Sequence, residues 1–312
     1  MRTPSILSLA LAAAAVLPLS AHAQPPPVSA TSYAPSAQRL SYAGKTALVT
    51  GSTDGLGREL ALALAADGAH VIVHGRNAER GAAVVKQITD TGIGSATFVA
   101  ADFASMQAVR EFAASIARDH PKLDLLVNNA GIAFNNDQPR RTSADGHELQ
   151  FAVNYLAGWV LVNTLRPNLA AAAPSRIINV ASGSAHAIDF DDVMLEKPGA
   201  SDRGYGQSKL AQVTMTVALA PAFAQQGITM IALHPATLMD TTMVEGLGVP
   251  PQTTVAQGRD HVMSLITAPA LEAGAFYRDG APVQPRDPQP GDPAARARLL
   301  ALSAELTGVP LQ

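Results

Sequence analysis

The chain has 312 residues, of which 47% are hydrophobic, and this is enough to bury one large core or two small ones. Its formal net charge is −3 and no cluster of Lys or Arg occurs, so no nucleic acid is expected as a partner. The absence of cysteine excludes disulfides, thiolate metal sites and a cysteine nucleophile, and the 8 histidines have no metal-ligand spacing, so no metal is expected.

The first part of the chain differs in composition from the rest. A positive start is followed by an apolar run over residues 6–17 and by an Ala-x-Ala sequence that ends at Ala23. This pattern predicts a secretory signal peptide over residues 1–23, and hence an exported, periplasmic protein with no membrane span after processing. An uncleaved anchor or a misassigned start stays open, and with an unused signal the protein would be cytoplasmic. Residues 24–41 are rich in Pro, Ser and Ala, which predicts a linker.

From about residue 45, short apolar runs alternate with longer stretches of helical periodicity. The runs are rich in Val, Ile and Leu without polar alternation, which predicts strands buried on both faces. The predicted strands are 46–50, 70–74, 96–100, 123–127, 176–180 and 229–233, and the predicted helices are 56–67, 77–91, 104–119, 145–171 and 205–226. This alternation predicts an α/β fold, a single Rossmann-type doubly wound parallel sheet flanked by helices over 42–282, with a C-terminal extension over 283–312.

The stretch VTGSTDGLGREL, residues 49–60, lies where the first predicted strand meets the first predicted helix. Its glycines, Gly51, Gly55 and Gly57, permit a sharp turn and the close approach of a ligand, because they have no Cβ. The N-terminus of the following helix suits a pyrophosphate, so the turn predicts a dinucleotide site beyond the strand end. Asp54 would oppose a pyrophosphate unless it points outward or caps the helix.

The end of the second predicted strand should meet the adenosine ribose of that dinucleotide. An acidic residue there would bind the 2′-hydroxyl of NAD, but the sequence has Gly75 followed by Arg76. A guanidinium can pair with a 2′-phosphate, so NADP(H) is favoured. NAD(H) stays open, with Arg76 as an ordinary loop residue.

Several separated motifs occur in a fixed order along the chain. They are TGSTDGLG (50–57), AADF with Asp102, NNAG (128–131), FAVNYLAG with Asn154, INVAS ending at Ser182, YGQSK (205–209) and HPATLMDTT (234–242). With these motifs the chain resembles the short-chain dehydrogenase/reductase family over about residues 42–280, and its retinol-dehydrogenase-like branch in particular. The resemblance implies an NAD(P)-dependent dehydrogenase or reductase acting on CH–OH groups.

The resemblance implies a catalytic set of Ser182, Tyr205 and Lys209, with Asn154 as a fourth member. Tyr205 and Lys209 are four residues apart and would share one face of a helix. A neighbouring ammonium and the positive nicotinamide would lower the pKa of Tyr205, which could then exchange a proton with a substrate oxygen bound by Ser182. Two alternatives stay open, because Asn154 could brace a helix and Ser184 lies close to Ser182.

The residues expected to contact the cofactor follow the predicted strands or lie on the helices after them. They are Gly51, Ser52, Thr53, Gly55, Leu56, Gly57, Arg76, Asp102, Phe103, Asn129, Ala130, Gly131, Tyr205, Lys209, Pro235 and Thr237. The resemblance implies that Asp102 contacts the adenine. Because Ala236 replaces the usual Gly of the family, the sequence leaves open whether Thr241 or Thr242 reaches the nicotinamide.

Three functions fit these motifs. The first is an oxidoreductase that transfers a hydride between NADP(H) and an apolar alcohol or carbonyl. The alternatives are a non-catalytic nicotinamide-dinucleotide-binding sensor or partner-binding protein, and an isomerase or dehydratase that keeps its cofactor. The complete Ser–Tyr–Lys set favours the first. Residues 236–249 contain Leu, Met and Val but no Lys or Arg, which favours an uncharged small-molecule substrate; a homo-oligomer is compatible with the sequence.

Overall fold

Eight strands form one sheet in the computed structural model, which describes residues 40–134, 139–199 and 203–311. The strands are β1 (Thr46–Val49), β2 (His70–Gly75), β3 (Ser95–Ala100), β4 (Leu125–Asn128), β5 (Ser175–Val180), β6 (Ile228–His234), β7 (Phe276–Arg278) and β8 (Ala281–Val283). Their order is β3-β2-β1-β4-β5-β6-β7-β8, and all neighbours are parallel except β7 and β8. The chain order reverses between β1 and β4, so the ligand crevice lies at the carboxyl ends of these strands.

Helices cover both faces of this sheet, and the predicted fold class is confirmed. They are α1 (Gly55–Ala66), α2 (Ala78–Asp90), α3 (Met106–Asp119), α4 (Leu149–Phe151), α5 (Ala157–Thr164), α6 (Arg166–Ala171), α7 (Gly204–Ala224), α8 (Thr242–Gly246), α9 (Val255–Ile266) and α10 (Pro293–Thr307). A π-helical turn, Ala152–Leu156, precedes α5, and a 3-10 turn, Gln289–Gly291, precedes α10.

Successive residues of the strands point into two different cores. Leu48, Ile72 and Leu126 pack with α3, α5 and α7, whereas Val49 and Val73 pack with α1, α2 and α9. Since both faces are covered, the central strands are apolar without alternation. The prediction that every strand is buried on both faces is wrong for β3, which lies at the edge of the sheet and is partly or fully exposed along its length.

The helix predicted over 145–171 is divided in the structure into α4, the π-helical turn, α5 and α6. The break between α5 and α6 falls at Leu165, just before Pro167 in the first turn of α6. Proline has no N–H to donate and favours the first turn of a helix, which accounts for a new helix beginning at this point. The other predicted helices and all six predicted strands lie within about two residues of the observed ones.

The C-terminal segment folds back onto the domain. Leu299 of α10 is fully buried, and the hydroxyls of Tyr155 and Ser303 are 2.6 Å apart. Beyond α10, the carbonyl of Val309 accepts a hydrogen bond from Trp159 Nε1 at 3.0 Å. The segment predicted only as an extension is therefore part of the core.

The predicted signal peptide and all but the last two residues of the predicted linker lie outside the described residues. Within the described ranges, no helix has both the length and the apolar character that a membrane span requires. The same ranges contain no group of three His, Asp or Glu side chains placed to hold a metal ion.

Candidate active site

The glycine-rich turn between β1 and α1 lies at the point where the strand order reverses. Gly51 has φ +64°, and a Cβ on it would lie 2.9 Å from Ala130 Cα. A Cβ on Gly57 would overlap the Gly51 carbonyl oxygen and Asn129 Nδ2. These two glycines are thus required by contacts within the protein. The expected space for a ligand remains at Gly55, whose Cβ would meet only the methyl group of Thr241, at 3.4 Å.

A polar network ties this turn to the end of β4. Asn129 Nδ2 donates to the Thr50 carbonyl at 2.8 Å. Thr50 Oγ1 accepts the amides of Asn129 at 3.0 Å and Ala130 at 2.9 Å. The carboxyl ends of β1 and β4 are therefore fixed relative to each other without a ligand.

His74 of β2 holds the same turn from the other side. Its Nδ1 accepts the Gly51 amide at 3.0 Å, so its Nε2 carries the proton and donates to the Ala101 carbonyl at 3.2 Å. The ring stacks on Phe103, with centroids 4.1 Å apart. Burial lowers the pKa of His74 to about 4, which keeps the ring neutral and Nδ1 able to accept at neutral pH. We did not predict His74 from the sequence; a histidine within an otherwise apolar strand was the available signal.

Asp54 caps α1, which is one of the two arrangements, capping the helix or pointing outward, that the sequence left open. One carboxylate oxygen accepts the Gly55 amide at 2.8 Å. The other lies 3.3 Å from Arg80 Nη1 and accepts the Thr242 hydroxyl at 3.1 Å. The next amides in the first turn of α1 have no acceptor within the helix. This donor set, with the negative charge of Asp54 paired to Arg80, fits the pyrophosphate of a dinucleotide.

Arg76 and Asp102 follow β2 and β3 beside this turn. Arg76 Nη1 lies 4.0 Å from Asp102 Oδ1, and their side chains are 70% and 55% exposed. A Cβ on Gly75 would lie 2.6 Å from Thr53 Oγ1, so the preceding position has no room for an acidic side chain. The guanidinium of Arg76 is accessible to an anionic ligand at this edge.

Two of the residues expected at the cofactor have inward side chains. Ser52 is fully buried, and its hydroxyl donates to the Val49 carbonyl at 2.7 Å and accepts the His74 amide at 3.0 Å. Phe103 is 4% exposed and packs on His74. These side chains support the turn from within, so a cofactor contact at either residue would be made by its backbone and stays a prediction.

The candidate catalytic side chains meet at the carboxyl end of β5. Ser182 is buried, and its side chain lies close enough to the Tyr205 hydroxyl at the start of α7 to lower the pKa of that phenol. The neighbouring Ser184 is exposed, and its amide donates to Ser182 Oγ at 3.1 Å. Lys209 Nζ lies 5.7 Å from the centroid of the Tyr205 ring. The structure thus brings together the three residues named from the sequence, with Ser182 rather than Ser184 facing Tyr205.

Burial determines the protonation of this group. It raises the pKa of Tyr205, which the hydrogen bond from Ser182 lowers only in part, and it lowers the pKa of Lys209 to about 7. Lys209 Nζ donates to the Val180 carbonyl at 2.8 Å and to Gln212 Oε1 at 3.0 Å. The chain alone therefore keeps the phenol protonated, and the lowering of its pKa by a bound nicotinamide stays a prediction.

Asn154 lies in the π-helical turn, and its whole carboxamide is engaged. Oδ1 accepts the Ile132 amide at 2.8 Å, while Nδ2 donates to the Ile132 carbonyl at 3.0 Å and to Ser208 Oγ at 2.9 Å. A Cβ on Gly131 would lie 3.4 Å from Asn154 Oδ1 and 3.5 Å from Lys209 Nζ. Asn154 thus braces the chain after β4 against α7, beside the candidate catalytic residues.

The segment after β6 lies over the same edge of the sheet. His234 Nδ1 accepts the Gly183 amide at 3.1 Å, and its Nε2 lies 3.1 Å from Thr237 Oγ1. The Pro235 carbonyl is 2.9 Å from His261 Nδ1. These contacts join the residue after Ser182 to the segment in which Pro235 and Thr237 are expected to meet the cofactor.

Thr241 and Thr242 both lie near the glycine-rich turn. Thr241 is the N-cap of α8, and its methyl group faces Gly55. The Thr242 hydroxyl is hydrogen-bonded to Asp54. Thr241 is therefore the residue that lies over the open side of the turn, while the Thr242 hydroxyl is engaged with the cap of α1.

The chain is similar in sequence and in fold to known proteins. Residues 45–249 match the short chain dehydrogenase family. The chain is 34% identical over 288 residues to retinol dehydrogenase 13 of Homo sapiens, with 85% of each chain covered. An uncharacterized protein from Mycobacterium paratuberculosis has a similar structure, with 26% identity, a TM-score of 0.73, and 88% of this chain and 98% of that chain covered. The Pseudomonas aeruginosa RhlG/NADP active-site complex is 25% identical, with a TM-score of 0.62 and coverage of 77% and 97%.

Proposed function

The chain belongs to the short-chain dehydrogenase/reductase family, and on that premise we propose that it transfers a hydride between NADP(H) and an apolar, uncharged alcohol or carbonyl by a Ser–Tyr–Lys mechanism. The observation that carries this proposal is the meeting of the Ser182 side chain and the Tyr205 hydroxyl, with Lys209 on the same face of α7. Packing alone would not place a buried lysine, Lys209, one helical turn from a tyrosine, so the pair favours a chemical role. These side chains lie at the carboxyl ends of the parallel strands, as does the glycine-rich turn.

The cofactor would be held by this chain at two places. The first-turn amides of α1 would bind the pyrophosphate, and Arg76 would bind the 2′-phosphate that distinguishes NADP(H). The NADP in the Pseudomonas aeruginosa complex supports this cofactor for a related fold. When bound, the nicotinamide supplies or accepts the hydride.

The remaining chemistry belongs to side chains of this chain. Tyr205 holds the proton that a carbonyl oxygen takes up on reduction, and its raised pKa keeps that proton in place at neutral pH. Ser182 donates a hydrogen bond to the same oxygen. Lys209, with a pKa of about 7, changes protonation near neutral pH and can return a proton toward Tyr205. In the reverse direction the Tyr205 phenol must first lose its proton, toward the neutral form of Lys209, before its oxygen can receive the proton of the alcohol.

An apolar substrate is supported by the side chains after β6. Met243 and Val249 are 37% and 39% exposed, although they are large and apolar, whereas Val244 is buried and Met239 packs against the core of α1 and α9. The partly exposed members offer an adaptable apolar surface. The name of the human relative refers to retinol, itself an apolar alcohol.

The test of this proposal is Tyr205→Phe, which removes the proton donor and keeps the ring. Turnover of NADPH with an aldehyde should fall on the order of 10²–10⁴-fold, while NADPH affinity, measured by fluorescence, should change little. The matched control is Tyr42→Phe, because the Tyr42 hydroxyl is buried against the Ile266 carbonyl at 3.3 Å, away from this site. Turnover of Tyr205→Phe within threefold of the unaltered chain would refute the mechanism.

A further inference from the structure

The segment that follows β5, residues 183–199, borders the candidate site as a wall. It leaves from Ser182 and leads toward the start of α7, where the His186 amide donates to the Gly206 carbonyl beside Tyr205 at 3.2 Å. This segment contains neither helix nor strand, so its backbone polar groups need partners elsewhere. Ala185 and Ile188 anchor it in the core, with 7% and 3% exposure. The hydrogen-bond partners of its backbone therefore determine the position of this wall.

One partner comes from the catalytic helix. Gln207 of α7 is fully buried. Its Oε1 accepts the Asp189 amide at 3.1 Å, and its Nε2 donates to the Val193 carbonyl at 2.7 Å. The wall is thus attached to the same helix turn that carries Tyr205.

A second partner comes from the C-terminal segment. Gln289 Oε1 accepts the Ile188 amide at 2.7 Å, and Gln289 Nε2 donates to the Ile188 carbonyl at 3.0 Å. A single carboxamide therefore satisfies both backbone groups of one residue, as a neighbouring strand would. Arg298 of α10 adds a contact nearby, since its Nη2 donates to the Phe190 carbonyl at 2.9 Å and to Asp191 Oδ1 at 2.8 Å.

Gln289 is presented by a stiff turn. It lies between Pro288 and Pro290, whose rings restrict the backbone. Its own amide donates to Asp287 Oδ1 at 2.9 Å, and Arg296 Nη1 donates to the Pro290 carbonyl at 2.9 Å. Because the backbone of Gln289 is already ordered, pairing its carboxamide with Ile188 restricts only the side-chain torsions.

We propose that Gln289 is a positioning residue for the substrate, through which the C-terminal segment fixes the wall between Ser182 and Tyr205. This inference rests on the proposed function and adds to it the residue that sets substrate affinity. Gln289 acts through Ile188, and no described hydrogen bond joins it to the glycine-rich turn. Loss of its two hydrogen bonds should weaken substrate binding and leave cofactor binding unchanged.

The test is Gln289→Leu, which removes both hydrogen bonds and keeps a similar side-chain volume. Hydrogen exchange in peptides covering residues 183–193 should become about tenfold faster, as expected for the loss of two hydrogen bonds. KM for a linear aldehyde should rise about tenfold, while kcat and the Kd for NADPH should stay within about twofold. The matched control is Gln226→Leu, which removes the hydrogen bond from Arg166 to Gln226. Gln226 lies before the amino end of β6, at the other end of the strands from the candidate site, so this variant should change none of these values.

Three outcomes would overturn the inference. The first is unchanged exchange in residues 183–193 of Gln289→Leu, and the second is faster exchange with an unchanged KM. The third is an equal loss of substrate and NADPH binding, which would indicate general destabilisation. An unaltered chain that binds NADPH but reduces no aldehyde would instead refute the proposed function, and the exchange comparison would still decide whether Gln289 holds the wall.

Discussion

The cofactor side and the substrate side of the sheet edge are held in different ways. On the cofactor side, Gly51 and Gly57 are packed so closely that neither has room for a side chain. Hydrogen bonds involving the side chains of Thr50, Asn129 and His74 hold the turn. On the substrate side, residues 183–199 are held by the carboxamides of Gln207 and Gln289. A turn with no room for an added methyl group tolerates few substitutions, whereas a segment without helix or strand, held largely by two carboxamides, can be moved by changing one residue. Substrate choice can therefore vary while the cofactor site stays constant.

The largest effect expected on the cofactor side concerns His74, a buried titratable side chain that holds the cofactor turn. The pKa of His74 is about 4 in the folded chain, against about 6.5 when unfolded, so the unfolded chain binds more protons between these values. The free energy of unfolding should therefore be highest above pH 6.5 and fall by about 3 kcal/mol as the pH falls to 4. Urea unfolding at pH 7 and pH 4 should show this additional loss in the unaltered chain and not in His74→Gln. Equal losses in both would show that His74 titrates normally.

The close packing of the glycine-rich turn is tested by Gly57→Ala. The added methyl group would overlap the Gly51 carbonyl and Asn129 Nδ2, so the turn must open. Overpacking of this kind costs about 1–3 kcal/mol, and we expect NADPH to bind up to about a hundredfold more weakly in a fluorescence titration. Gly246→Ala is the control, because a Cβ there meets nothing within 4 Å. Unchanged NADPH affinity in Gly57→Ala would mean that the turn does not shape the cofactor site.

The parts of the fold that the sequence could predict are those set by local patterns along the chain. The central strands and the residues of the glycine turn were evident, because apolar runs and closely spaced motifs are local features. The helix α10 was missed because its buried face is Ala295, Leu299, Ser303 and Thr307, so half of that face is polar and no apolar stripe appears. The strands β7 and β8 are three residues each, too short for a pattern.

The same distinction between local motifs and long-range contacts applies to the residues of the candidate site. Tyr205 and Lys209 were recognisable because they lie in the motif YGQSK that the chain shares with the family, and their spacing of one helical turn agrees with that motif. His74 was not, because its contacts with Gly51 and Ala101 exist only once β1, β2 and β3 lie side by side. Gln289 could not be predicted either, since Ile188, its partner, is 101 residues away in the sequence.

A smaller effect is expected at the rim of the cofactor side. Arg76→Ala should weaken NADPH binding about tenfold, the lower end for a charge-assisted hydrogen bond, because the Arg76 side chain is 70% exposed. NADH, which has no 2′-phosphate, should bind with nearly the same affinity as before. Arg118→Ala is the control, since Arg118 pairs with its neighbour Asp119 on α3. If Arg76→Ala weakens both cofactors equally, Arg76 has a structural role and NADP(H) loses its main support.

The smallest effect, counted per methylene group added to the substrate, concerns the substrate side. It tests whether the wall and the segment after β6 enclose one apolar pocket. Each methylene that leaves water contributes about 0.8 kcal/mol, or about fourfold in kcat/KM. In a series of linear aldehydes, kcat/KM with NADPH should therefore rise by about this factor per carbon over several carbons. In Gln289→Leu the rise should be less steep, because a displaced wall leaves part of the chain in contact with water, whereas in Arg76→Ala at saturating NADPH it should be unchanged. A flat series, or a preference for short charged substrates, would show that Met243 and Val249 do not line the pocket and that the substrate side is built from other residues.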